Sequence, residues 1–171
     1  LERPTGQVTG AQDADIPVSF EQIDSSKPQD VGGNVSVGSF NVLNYFTTTG
    51  DSLEGCTYYN DRQGVPVTVR GGCDARGAAT EASFERQQAK IVAALNKFDA
   101  DGVVLEEIEN SARFGQDRDA ALAHLVDELN AAAGENRWSY APSPGAVPAD
   151  EDVIRTAMIY QRDAVKPIGK S

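Results

Sequence analysis

The chain is 171 residues long and carries a formal charge of −11, from 15 lysines and arginines against 26 acids, with a single histidine, His124. That length supports one domain with a real core, since roughly 170 residues bury close to 70% of the surface the unfolded chain exposes. So acidic a surface repels polyanions: a bare basic groove is excluded as the source of attraction for nucleic acid or another phosphate ester, and divalent cations are expected to supply it.

No apolar run approaches the ~20 residues a membrane span requires, and Leu1 to Gly10 lacks the basic and apolar regions of a signal peptide, so the chain is expected to be soluble as written. Residues 1–33 are polar and broken by proline and glycine, with one apolar island from Pro17 to Phe20; they read as a linker or the tail of an upstream domain. The folded unit is expected over 34–171. It opens with NVSVGSFNVLNYF, whose alternation predicts a strand with Val35, Val37, Ser39, Asn41 and Leu43 on one face and Phe40 and Val42 on the other.

Cys56 and Cys73 then bound a stretch with little helical periodicity. A disulfide is the preferred reading and would place the protein in an oxidising compartment; two unrelated buried thiols are the alternative, and metal binding by two cysteines with no histidine nearby is disfavoured. Next, TEASFERQQAKIVAALNKF carries Phe84, Ile91, Val92, Leu95 and Phe98 at helical spacing, with Thr80 or Ser83 as N-cap. The run DADGVVLEEIEN follows as a buried strand, and DRDAALAHLVDELNAAAG presents Leu122, Leu125, Val126 and Leu129 as a second helical stripe ended by Gly134. Two more strands are predicted, near RWSYAP and from Val153 to Gln161, separated by PSPGAVPADED. This order predicts an α/β fold: a mixed sheet with an antiparallel last pair, covered on one face by two helices and offering no further helix for the other.

Strand alternation places Glu107 with Val103 and Leu105, and Glu106 with Val104 and Ile108. Either the strand has already emerged, leaving these acids and Glu109 solvated, or Glu107 sits at a strand's C-terminal end and holds a hard cation with Asn41 beside it. An isolated buried asparagine is more often bonded to backbone than catalytic.

SFNVLNYF, then FERQQAKIVAALNKFDADGVVLEEIEN and later IRTAMIYQ, in this order and spacing, resemble the first half of the endonuclease/exonuclease/phosphatase superfamily. Its members include pancreatic deoxyribonuclease and the abasic-site endonucleases. Within it the likeness is to large extracellular bacterial nucleases, where a cysteine-bearing insertion is also at home, and it runs from about Val35 to Tyr160. The resemblance implies half of a four-layer α/β/β/α sandwich, and a secreted bacterial nuclease that hydrolyses phosphodiester bonds of DNA or RNA with Mg²⁺ or Mn²⁺, Ca²⁺ being a further option. It implies that Asn41 helps position metal or phosphate and that Glu107 is the metal-binding glutamate. Glu106 departs from the glutamine or apolar residue usual before that acid, so an exposed role is expected of it. Arg155 falls where relatives carry a basic residue near the active-site rim, and Asp152 lies close by; both are candidates for substrate binding, against the alternative of an ordinary charged strand end.

The family's histidine base with its orienting acid, its Asp-x-Asn turn and its terminal Asp-His have no counterpart in this sequence, and His124 reads as a surface or boundary histidine of the second helix. The chain is therefore expected to be an N-terminal piece of the catalytic domain, inactive alone, whose open sheet face is covered by the missing half or by self-association. Two other readings stand beside the nuclease: a phosphatase or sphingomyelinase-like phosphoesterase of the same fold, and a non-catalytic module binding Ca²⁺ or a protein partner.

Overall fold

Both periodicities turn into the elements expected of them in the computed structural model, which describes residues 32–168. By contacts the chain divides into Leu1–Gly32 and Gly33–Ser171. The linker or tail read at residues 1–33 lies, but for Gly32 and Gly33, outside the described residues.

Strand β1 (Val37–Tyr45) leads through a 3-10 turn at Gly50–Ser52 into a hairpin of β2 (Thr57–Asn60) and β3 (Pro66–Gly71). Then come α1 (Glu81–Phe98), β4 (Gly102–Glu109), a 3-10 turn at Ser111–Phe114, α2 (Ala120–Ala133), β5 (Trp138–Tyr140) and β6 (Ile154–Gln161). The main sheet has the order β1-β4-β6-β5, with β1 parallel to β4 and β6 antiparallel to both of its neighbours. The fold is α/β with a mixed sheet, and β1 is an edge strand.

Helix α1 starts where Thr80 can cap it: the Thr80 hydroxyl accepts from the Ser83 backbone N–H at 3.3 Å. Its stripe of Phe84, Ile91, Val92 and Leu95 is buried, as is the Leu122, Leu125, Val126 and Leu129 stripe of α2, which ends at Gly134 with φ +72°. Both stripes join Val42, Val103, Leu105, Trp138 and Ile159 in one core against the sheet. Phe98 stays half out of the core, tilted against Phe40 with ring centroids 6.4 Å apart. Gly38 makes room for it, since a Cβ there would run into the Phe98 ring.

Among the described residues no helix covers the other face of the sheet, and Val165, Lys166 and Pro167 share a hollow there with Val37 and Met158. Across the ladders Val37 opposes Gly102 and Gly102 opposes Tyr160; one row on, Ser39 opposes Val104 and Val104 opposes Met158. Val35, Val37, Val104 and Met158 are exposed, whereas Val103, one residue from Val104, is 0% exposed.

The cysteine-bounded stretch, read from sequence without strands, is the antiparallel β2–β3 hairpin. Cys56 and Cys73 are bonded across its base with Cα atoms 4.8 Å apart, and no cysteine is free. A loop of this length closed by a disulfide gains about 3 kcal/mol in the chain-entropy model, and such a bond is compatible with an extracellular setting. The hairpin is stitched to the segment that enters α1 by Val69 N–H to Gly77 O and Ala79 N–H to Val67 O, at 2.9 and 3.0 Å. No helix among the described residues is long and apolar enough to cross a membrane.

Candidate functional site

Two ladders lose register at the same place. Between β4 and β6, Leu105 pairs with Ala157 and Ile108 with Arg155, so Glu106 and Glu107 together face Thr156 alone. Between β1 and β4, Asn41 pairs with Glu106 and Tyr45 with Ile108, so Val42, Leu43 and Asn44 stand opposite Glu107 alone. Leu43, Asn44 and Glu107 have φ of +54°, +52° and +63°. Left-handed backbone costs a non-glycine residue roughly 1–2 kcal/mol, and such outliers gather at functional sites.

The surroundings hold this geometry. The Asn41 Oδ1 accepts the Leu43 backbone N–H at 2.7 Å, and Gln87 of α1 donates its Nε2 hydrogens to Leu43 O at 2.7 Å and Val42 O at 3.3 Å. Carbonyls turned away from the ladder thus keep a partner. Gln87 and Gln88 were overlooked in the sequence, although they lie inside the apolar stripe, three and four residues after Phe84, where a polar pair needs a reason. Gln88 Oε1 accepts from the Tyr45 hydroxyl at 2.7 Å and lies 2.8 Å from His124 Nε2. Burial pushes the Tyr45 phenol well above its ordinary value, with the charges of Glu128 and Glu109 adding to the effect, so it remains a donor. His124 is a half-buried boundary residue lying against the Phe84 ring.

The double bulge corrects the sequence reading of the acids. Alternation puts Ile108 beside Val104 on the open face; instead Ile108 is 0% exposed in the helix-side core, because the extra residue at Glu107 reverses the parity of everything after it. Nor has the strand emerged. Glu109 is fully buried and accepts from Thr48 N–H at 2.8 Å, Ser111 Oγ–H at 2.6 Å and Thr47 Oγ1–H at 3.1 Å, which ties the ends of β1 and β4 together. Glu106 is half-buried and accepts from the Ser39 hydroxyl. Glu107 is also half-buried, and its carboxylate has no hydrogen-bond or ion-pair partner among the described residues.

Asn41 and Glu107 are therefore brought together, one pairing apart at the C-terminal ends of adjacent parallel strands, with Glu106 between them in register. Among the described residues no three His, Cys, Asp or Glu side chains are grouped to hold a metal ion. A hard cation does not need such a cage: Mg²⁺ is usually held by one or two carboxylates and keeps waters and substrate oxygens for the rest. The donors present, two carboxylates and an amide, are all oxygen ligands and fit Mg²⁺ or Mn²⁺ by type.

Arg155 is placed elsewhere. Opposite Ile108 on the helix side of β6, it donates from Nη2 to Asp119 Oδ1 at 2.7 Å and to Arg118 O at 3.2 Å, while its Nε is buried without a partner. Burial lowers its pKa, opposed by Asp119. Asp119 also accepts from Ser143 N–H and Oγ–H at 2.9 and 2.7 Å. Asp152 accepts from Arg76 Nη2 at 2.7 Å and Nη1 at 3.1 Å, and is held below the ordinary carboxylate value first by the Val153 N–H and then by Arg76.

Arg76, paired with Asp152, shares a cleft with Asn41. Both Arg76 and Asn41 line a cleft of about 630 Å³ between the outer edge of β1, α1 and the segment from β3. Arg86 and Lys90 line it too, and among the described residues no acid does. A local group of cations thus lines this cleft in a chain of net negative charge, because net charge says nothing of where the few cations gather. No family model matches the chain, and neither does any curated protein or solved structure.

Proposed function

We propose that the chain is the metal-holding part of a secreted, divalent-cation-dependent phosphodiesterase acting on DNA or RNA, of the endonuclease/exonuclease/phosphatase type. The observation that supports this reading is the double register break, at which Glu107 follows the Asn41–Glu106 pair at the C-terminal ends of two parallel strands with a carboxylate that has no partner among the described residues. Left-handed backbone at Glu107 and, opposite it, at Leu43 and Asn44 is strain of the kind that gathers at functional sites.

In this reading Glu107 holds the cation and Glu106 adds a second charge braced by Ser39. Asn41, with Oδ1 engaged by Leu43, offers its amide hydrogens to a phosphate oxygen. Gln87 keeps the bulge of β1 in shape. The cation supplies Lewis-acid stabilisation of charge on the phosphate and a water of lowered pKa. Hydrolysis then forms one bond from water oxygen to phosphorus and breaks the bond to the leaving oxygen, which takes a proton. His124 is engaged at Gln88 and is not the base for that water in this reading.

The test is incubation of the complete protein with plasmid DNA, RNA and sphingomyelin in Mg²⁺ or Mn²⁺. Cleavage of either nucleic acid that stops with EDTA and with Glu107→Ala is expected. Cleavage of sphingomyelin alone would move the reading to a lipid phosphoesterase, and cleavage of none of the three would overturn it.

A further inference from the structure

We propose that the cleft along the outer edge of β1 is a binding site for a nucleic-acid strand, with phosphates paired to Arg86 and Lys90 and a base against its apolar floor. The choice of a phosphate ester rests on the phosphodiesterase reading; the binding itself needs no hydrolysis and no metal.

Charge distribution is the first support. The chain carries −11, yet among the described residues three cationic side chains and no acidic one line this cleft. Arg86 and Lys90 are four residues apart on α1 and therefore neighbours on one helix face, where two like charges repel. Both are exposed, and neither has an acid partner among the described residues. Arg86 donates from Nη2 to Ser83 Oγ at 3.1 Å and keeps its remaining hydrogens for a ligand. Arg76 is neutralised by Asp152 and contributes donors rather than net charge.

The floor says what kind of anion fits. Phe40, Val67, Ile91 and Ala94 line the same space, and a bare inorganic anion has no use for them. Its volume of about 630 Å³ lies within the roughly 300–1,000 Å³ typical of small-ligand sites, enough for a nucleotide unit. Stacking or apolar contact with a base tolerates any sequence, while the phosphates supply the attraction. Continuity is the third support. Asn41 lines the cleft and is paired with Glu106, so a strand lying in it runs on toward Glu107.

The experiment titrates the chain, in EDTA, into a fluorescein-labelled single-stranded oligodeoxynucleotide and reads anisotropy at several NaCl concentrations. Salt-sensitive binding is expected. The double variant Arg86→Gln/Lys90→Gln should weaken it by about 10-fold or more and lower the slope of log K against log [NaCl] by about 1.4, two contacts at ~0.7 each. Lys97→Gln, on the same helix but outside the cleft, should change neither. No binding by the parent chain, or equal loss with Lys97→Gln, overturns the proposal. Thymidine 5′-monophosphate competing as well as the oligonucleotide at equal phosphate concentration also overturns it, in favour of a mononucleotide pocket. Salt-sensitive binding by a complete protein that cleaves nothing would keep the cleft and remove only the enzyme; cleavage with unchanged KM in the double variant would do the reverse.

Discussion

Asn41 of β1 and Glu106 of β4 face each other across the parallel ladder, and directly beyond this pair both strands change register around Glu107. On the open side the residues before the pair, such as Val37, Ser39, Val104 and Met158, are apolar or small, and after it Leu43, Asn44 and Glu107 have left-handed backbone. The proposed cation site lies at that boundary.

Glu107 itself separates strain from function. Glycine relieves a left-handed backbone but costs about 0.5–1 kcal/mol in chain entropy, so Glu107→Gly is expected to leave stability unchanged or raised by up to about 1 kcal/mol. Mn²⁺ binding, read by calorimetry or by paramagnetic broadening, should be lost in the same variant. A drop of more than about 2 kcal/mol in urea unfolding would make the side chain structural.

Glu109 has the opposite character. Three donors, one of them a backbone N–H, converge on a carboxylate with no access to water. Removing it strands all three, so Glu109→Ala should cost about 3 kcal/mol or more in chemical denaturation. Stability within about 0.5 kcal/mol of the parent would show that water had taken the carboxylate's place.

For Arg155 the burial decides. The Arg155–Asp119 pair is 14% and 13% exposed and reaches the start of α2 and Ser143. Arg155→Ala leaves Asp119 with only its Ser143 partners, and a loss of about 3 kcal/mol is expected, larger than any effect on substrate affinity. An unaltered unfolding midpoint with a raised KM would return Arg155 to the rim of the site.

Acid should act through Asp152 in a definite direction. Its folded pKa lies below the ordinary 3.8, through Val153 N–H and then Arg76. A depressed carboxylate contributes stability that is present above its unfolded pKa and lost as pH falls through the folded one, so the loss begins at about pH 4 and continues downward. In Asp152→Asn that part of the pH dependence should disappear. Urea midpoints measured from pH 6 to 2 that fall in parallel for parent and variant would count against it.

The helices were readable because a 3.6-residue repeat is a property of one segment. Phe84, Ile91, Val92 and Leu95 need only their own spacing to mark the face of α1 that will be buried, and the same holds for Leu122 to Leu129 in α2. The four strands of the main sheet came from similar local signals, whereas the β2–β3 hairpin did not. Gln87 and Gln88 carried a signal too, as polar residues within an apolar stripe, though it pointed to no particular partner.

Linear spacing could not announce the rest. Whether Ile108 and Glu109 lie inside or outside depends on a bulge, and a bulge belongs to a pair of strands rather than to either one; Asn41 and Glu106 meet only through a ladder spanning 65 positions of chain. The cationic cleft arose in the same way, from α1 and the segment after the hairpin converging on an edge strand, which the overall charge could not reveal. Local periodicity thus settles which residues form each element and which side is greasy, while pairing and convergence across distant segments settle where the charges and the strain come to rest.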